Sequence, residues 1–133
     1  MKITLSLLGL NGAGKSTTFK ILIGEIEATS GKGFINGYDI KKNRYDALRN
    51  LGFCPQFDIL PEYLTVIQAF ELIARLRGIK KESRKIIIDS FTNVFKLNEF
   101  NDKLVQDLSG GNKRKLSSAL AFIGKSVVFL GFY

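Results

Sequence analysis

Residues 9–17 read Gly9-Leu10-Asn11-Gly12-Ala13-Gly14-Lys15-Ser16-Thr17, and this stretch decides the fold. It fits the spacing of a glycine, four residues, then Gly-Lys-Ser/Thr, the pattern of a loop that cradles phosphate. Each residue type has a physical reason. Glycines let the backbone curl until successive N–H groups point inward at phosphate oxygens. Lys15 supplies a compact positive charge for the β- and γ-phosphates, and the Ser16 hydroxyl is placed to sit on Mg²⁺. The flanks agree. Ile3 to Leu8 reads as a short buried strand carrying Leu5, Leu7 and Leu8. A helix follows from about Lys15 through Phe19, Ile21, Leu22 and Ile23, with Gly24 placed to end it. Beginning where it does, that helix aims its positive end at the same anion.

Outward from this loop, Gly31 to Ile40 places Asn36-Gly37 between apolar pairs, a strong tight-turn signal. Leu48 to Cys54 leads into a strand that stops at Pro55-Gln56. Pro61 and Thr65 mark the start of the next helix, and Thr65 and Gln68 have capping-box spacing. Val66, Ala69, Phe70, Ile73 and Leu76 then fall on one stripe, which Gly78 closes. Another helix carries Ile87, Ile88, Phe91, Val94 and Phe95, and one after Gly111 carries Leu116, Ala119, Leu120 and Ile123. Val127 to Leu130 reads as a buried strand. This order predicts an α/β fold: a parallel sheet with a helical insertion.

A chain of 133 residues is expected to form one domain, burying roughly 68% of its unfolded surface. Hydrophobic residues at 45% and charged residues at 24% argue against intrinsic disorder. No apolar run approaches the roughly 18 residues that cross a bilayer, and the first nine residues are too briefly apolar for a secretory leader. A single cysteine, Cys54, excludes an internal disulfide and is read as a small buried side chain. Without histidine, the usual zinc sets and every His-based dyad are excluded. The expectation is a soluble cytoplasmic domain. Its net charge of +8 favours anionic partners. The basic groups (Lys41-Lys42 with Arg44, Lys80-Lys81 with Arg84-Lys85, and Lys113-Arg114-Lys115) also fit solvated faces. Aromatics do not interleave them, so no nucleic-acid partner is expected.

Two further segments carry chemistry. Leu108-Ser109-Gly110-Gly111 precedes a helix; taken alone it is also a glycine turn with Ser109 as cap. Pro55-Gln56-Phe57-Asp58, taken alone, is a turn after a strand. Together and in this order, the three segments resemble the ATP-binding cassette (ABC) family. Lys15 and Ser16 match its Walker A motif, Gln56 its Q-loop glutamine, and Leu108 to Gly111 its LSGG signature. The wording around them, Thr18-Phe19-Lys20, Cys54 to Asp58 and Ser109 to Ser117, resembles the subfamily A exporters, often associated with lipids. The likeness runs from about Ile3 to Leu130.

The resemblance implies a P-loop NTPase, with residues 61–107 as the helical insertion that meets a transmembrane domain. Asn11, Gly12, Ala13, Gly14, Lys15, Ser16 and Thr17 would bind the phosphates of ATP, and Ser16 and Gln56 would attend Mg²⁺. Ser109, Gly110 and Gly111 would press on the γ-phosphate held by a second nucleotide-binding domain, arranged head to tail. The chain would then sit on the cytoplasmic side of a membrane through its transporter partner. The sequence also departs from the pattern. Where the family continues Asp-Glu-Pro, this chain reads Gly131-Phe132-Tyr133, and the switch histidine has no counterpart. The strands and stacking aromatic upstream of the Walker A strand are missing too. The reading is a cassette shortened at both ends, with an incomplete sheet, poor hydrolysis and no catalytic residue; Glu99, Asp102 and Asp107 are solvated or capping residues. A different class of function stays open: a regulatory fragment that docks on a complete cassette or membrane domain. Co-purification that survives Lys15→Ala would mark it.

An incomplete sheet leaves backbone groups unpaired in apolar surroundings, at about 1–3 kcal/mol each. The isolated chain is therefore expected to be marginal or partly molten. Urea unfolding followed by far-UV circular dichroism checks this: a shallow, weakly cooperative transition is expected, and a slope normal for this length contradicts it.

Overall fold

A computed structural model describes residues 10–49, 51–55 and 60–124, and the backbone of 128–131. The expected strand at Ile3–Leu8, the Q-loop residue Gln56 and Val127 lie outside the described residues. The chain divides after Arg49 into two compact units.

The first unit holds α1 (Lys15–Leu22), β1 (Phe34–Ile35), β2 (Tyr38–Asp39) and α2 (Arg44–Arg49). β1 and β2 form an antiparallel hairpin, pairing Phe34 with Asp39 and Ile35 with Tyr38. Its turn needs positive φ at both central residues, and Asn36 (51°) and Gly37 (81°) provide it. The chain then turns again: one Asp39 carboxylate oxygen accepts from the N–H groups of Lys41 (2.8 Å) and Lys42 (3.0 Å). Those two bonds, Lys42's first, hold the Asp39 carboxyl below its ordinary value of 3.8. A lowered folded pKa means that their contribution is complete above the unfolded pKa and fades as pH falls through the folded one. α2 packs on the hairpin and buries Ala47.

The second unit holds β3 (Leu51–Cys54), α3 (Val66–Leu76), α4 (Lys81–Val94), two 3₁₀ turns (Asn98–Phe100 and Val105–Asp107), α5 (Gly110–Phe122) and β4 (Val128–Gly131). β3 and β4 pair in parallel, from Leu51 with Val128 to Cys54 with Gly131. They form the expected parallel element, and α5 packs against them. Val66, Phe70, Ile88, Leu97, Leu116 and Ile123 lead the apolar core among the helices. α3 begins on the expected capping box: Gln68 N–H donates to Thr65 Oγ1 (3.2 Å), and Thr65 N–H donates to Gln68 Oε1 (2.9 Å).

Leu76, expected on the apolar stripe of α3, is exposed at 73%, and Val94 on α4 is exposed at 74%. The buried row on α3 runs Val66, Phe70, Ala74, and that on α4 includes Ile88 and Thr92. At four-residue spacing each row advances about 40° per step around its helix. By the last turn the row has rotated away from Leu76 and Val94.

α1, α3 and α4 end in one way. The residue after each C-cap takes positive φ, and the next N–H reaches back five residues: Glu25 to Lys20 O (2.8 Å), Ile79 to Ala74 O (2.9 Å) and Leu97 to Thr92 O (2.7 Å). Gly24 and Gly78 take the left-handed position without strain, but at the end of α4 it falls to Lys96 (φ 54°). Lys96→Gly is therefore expected to raise stability by about 1 kcal/mol, whereas Thr65→Ala should lower it by about 1 kcal/mol. Urea midpoints of the two variants check both signs.

Candidate functional site

The loop before α1 is closed by Ala13 N–H donating to Leu10 O (3.1 Å). Gly12 (φ 88°) and Gly14 (φ 86°) both lie in the left-handed region, and an added Cβ at either would meet nothing within 4 Å. They are glycines for conformation rather than for space. Gly14 is also the N-cap of α1, and it brings no side-chain acceptor. The first turn of α1 holds no acidic residue. Its positive end is thus left to whatever anion arrives.

Lys15 Nζ donates to Leu10 O at 2.8 Å, folding the ammonium back over the loop. Thr18 Oγ1 donates to Gly14 O at 3.0 Å and ties the first turn to its cap. Asn11, Gly12, Ala13, Ser16 and Thr17 are exposed, and Gly14 and Lys15 half-buried. Backbone donors, an ammonium and a hydroxyl, Ser16, are gathered on one short segment. This donor set suits a tetrahedral anion, and the hydroxyl suits a hard divalent ion bound to that anion. Among the described residues, no group of three His, Cys, Asp or Glu could hold a metal by itself.

The second unit carries the other predicted segment. Ser109 is extended (φ −61°, ψ 155°) and caps α5, its Oγ accepting from Asn112 N–H at 3.3 Å. Gly110 and Gly111 are exposed, neither has positive φ, and an added Cβ at either meets nothing within 4 Å. Nothing in this unit's own packing requires glycine there. The start of α5 is cationic, with Lys113, Arg114 and Lys115 and no acidic residue in its first turn. That charge opposes the helix dipole and favours an anion. Arg114 donates to Pro55 O, tying the signature helix to the end of β3, one residue before Gln56. Cys54 is buried as expected, its sulfur 3.5 Å from Ser117 Oγ.

The structure thus gathers Asn11 to Thr17 in one unit and Ser109 to Gly111 in the other. Sequence reasoning missed two contributors. The Leu10 carbonyl is backbone, which residue type does not signal, and Arg114 read only as one of a basic trio. The contrast between the two glycine pairs is testable. Gly14→Ala should destabilise by about 1–2 kcal/mol through left-handed strain. Gly110→Ala and Gly111→Ala should leave stability unchanged or raise it by up to about 1 kcal/mol, as helix propensity favours alanine. Urea midpoints of the three variants decide it.

The model of the ABC transporter family matches residues 2–130. The chain is 42% identical over 127 residues to ABC transporter A family member 4 of Dictyostelium discoideum, covering 96% of this chain and 8% of that protein. It is 44% identical over 125 residues to the mouse phospholipid-transporting ATPase ABCA3, covering 93% of this chain and 7% of the relative. The chain therefore spans less than a tenth of the length of these curated relatives. A solved ATP-binding subunit of an ABC transporter superposes with a TM-score of 0.82 at 29% identity, covering 93% of this chain and 52% of the other. A dimeric ATP-binding cassette solved in a post-hydrolysis state with ADP and Pi gives 0.78 at 21% identity, covering 92% of this chain and 56% of that one. That second likeness bears on fold alone.

Proposed function

The chain belongs to the ABC transporter family, and on that premise we propose that it binds Mg²⁺·ATP as part of a transporter's nucleotide-binding domain. The observation that carries the reading is the start of α1: a left-handed glycine cap, no side-chain acceptor, and Lys15 within bonding distance of the loop. The backbone of Asn11 to Thr17 wraps the phosphates, and the Lys15 ammonium exchanges the Leu10 carbonyl for phosphate oxygens. Mg²⁺, when bound, would supply charge compensation to the phosphates. The Ser16 hydroxyl and Gln56 attend it.

Ser109, Gly110 and Gly111 act across an interface. Their open helix start meets the γ-phosphate on a second cassette, and bare glycines let the partner's phosphate approach the backbone closely. Residues 61–107 form the insertion that docks on a transmembrane domain and holds the chain at the cytoplasmic face. The mouse relative, named as a phospholipid-transporting ATPase, supports lipid as the cargo of such an assembly. A polypeptide of these 133 residues alone holds ATP and turns it over slowly. Its 133 residues include no histidine, and Gly131 and Phe132, neither with an ionisable side chain, stand directly after Leu130. A general base is worth about 10²–10⁴ in rate.

Lys15→Ala should weaken Mg²⁺·ATP retention by about 10–100-fold, the scale of one or two charge-assisted hydrogen bonds. Equilibrium filter binding with labelled ATP measures it, and unchanged retention contradicts the proposal.

A further inference from the structure

A cavity of about 320 Å³ lies within the first unit, between the C-terminal end of α1, the loop of residues 26–33 and the β2–α2 connection. Its lining begins at Ile21, whereas the phosphate loop stands at the other end of α1, about 10 Å away along an eight-residue helix. Four cations line it, Lys32, Lys41, Lys42 and Arg44, against two carboxylates, Glu27 and Asp39. Asp39 is already engaged: one oxygen accepts both the Lys41 and Lys42 N–H groups. Among the described residues, none of Lys32, Lys41 and Lys42 is within salt-bridge distance of a carboxylate. The cavity therefore presents positive charge that its own carboxylates do not match.

The walls are built closely. Ile40 N–H donates to Gly33 O at 2.9 Å, and a Cβ on Gly33 would come within 2.6 Å of the Ile40 side chain. Arg44 donates to Gly24 O at 2.6 Å, and a Cβ on Gly24 would come within 2.7 Å of the guanidinium. Each glycine admits a neighbouring side chain that forms the wall. Held by one of its donors, Arg44 keeps others for a ligand.

The lining also selects among anions. It has no aromatic residue, so it offers no platform on which a nucleobase could stack. Ile21, Ile26, Ile40 and Ala28 give an aliphatic floor, and Thr29 and Ser30 add hydroxyls. The volume is at the small end of ligand pockets, which run from about 300 Å³ upward. A phosphomonoester on a short polyol matches all three properties. We propose that this cavity is a second anion site that takes a glycerol phosphate group, held by Lys32, Lys41, Lys42 and Arg44. The same group occurs free in solution and as the headgroup of phosphatidic acid.

Isothermal titration with sn-glycerol 3-phosphate, and co-sedimentation with phosphatidylcholine vesicles with and without phosphatidic acid, test the proposal on the full chain. Binding to either probe is expected, and it should fall about tenfold in the Lys41→Ala/Lys42→Ala double variant. These side chains are exposed, and Asp39 is bonded by their backbones, so the turn is kept. Lys32→Ala should weaken binding in the same sense. ATP retention should be unchanged in these variants, while Lys15→Ala should leave binding of the glycerol phosphate group intact; the site and the nucleotide reading thus fail separately. Binding to the free ester identifies a soluble ligand, and binding to vesicles alone a lipid headgroup; both support the site. Absence of binding to either probe overturns it. So does an equal loss in Lys80→Ala/Lys81→Ala, a charge-matched control in the second unit.

Discussion

Left-handed backbone at Gly12 and Gly14 is the constraint on which the molecule's chemistry depends. A residue with a Cβ resists φ near 86°, so the loop turns into α1 only because these positions carry none. The turn has two consequences. It starts a helix without spending a side-chain acceptor on its first N–H groups, and it sets Lys15 beside the Leu10 carbonyl. The first leaves positive potential at the helix start, and the second holds the ammonium over the loop. The start of α5 reaches a similar electrostatic result by another route: Ser109 caps it, glycines stay open where folding does not need them, and three cations follow in line.

Local signals were legible in the sequence where one residue pair determines a backbone state. Asn36-Gly37 marked its hairpin because only such residues accept positive φ twice in succession. Thr65 and Gln68 marked the start of α3 because their side chains satisfy each other's backbone donors. α2 went unread because its six residues bury only Ala47 and so carry no stripe. The end of α4 was obscure for the opposite reason: a lysine occupies the position that glycine signals elsewhere. Leu76 was placed on the apolar stripe by extending it past the point where the helix rotates it outward.

The same division holds for the candidate sites. The phosphate loop and the signature are contiguous segments, so residue types at fixed spacing expose them. The cationic cavity is assembled from two separated stretches of chain, residues 21–33 and 39–44, and the sequence shows only a basic cluster at Lys41, Lys42 and Arg44 beside an unremarked Lys32. Its walls depend on Gly24 and Gly33 admitting Arg44 and Ile40, contacts that spacing does not reveal.

The central claim is that amides at the start of α1 grip a nucleoside triphosphate. Two-dimensional ¹⁵N NMR of the chain titrated with Mg²⁺·ATP tests it residue by residue. The account predicts that the N–H resonances of Gly12 to Thr17 move together and saturate at one affinity. Resonances of that segment that stay still while nucleotide binds, or that stay still because none binds, would contradict it.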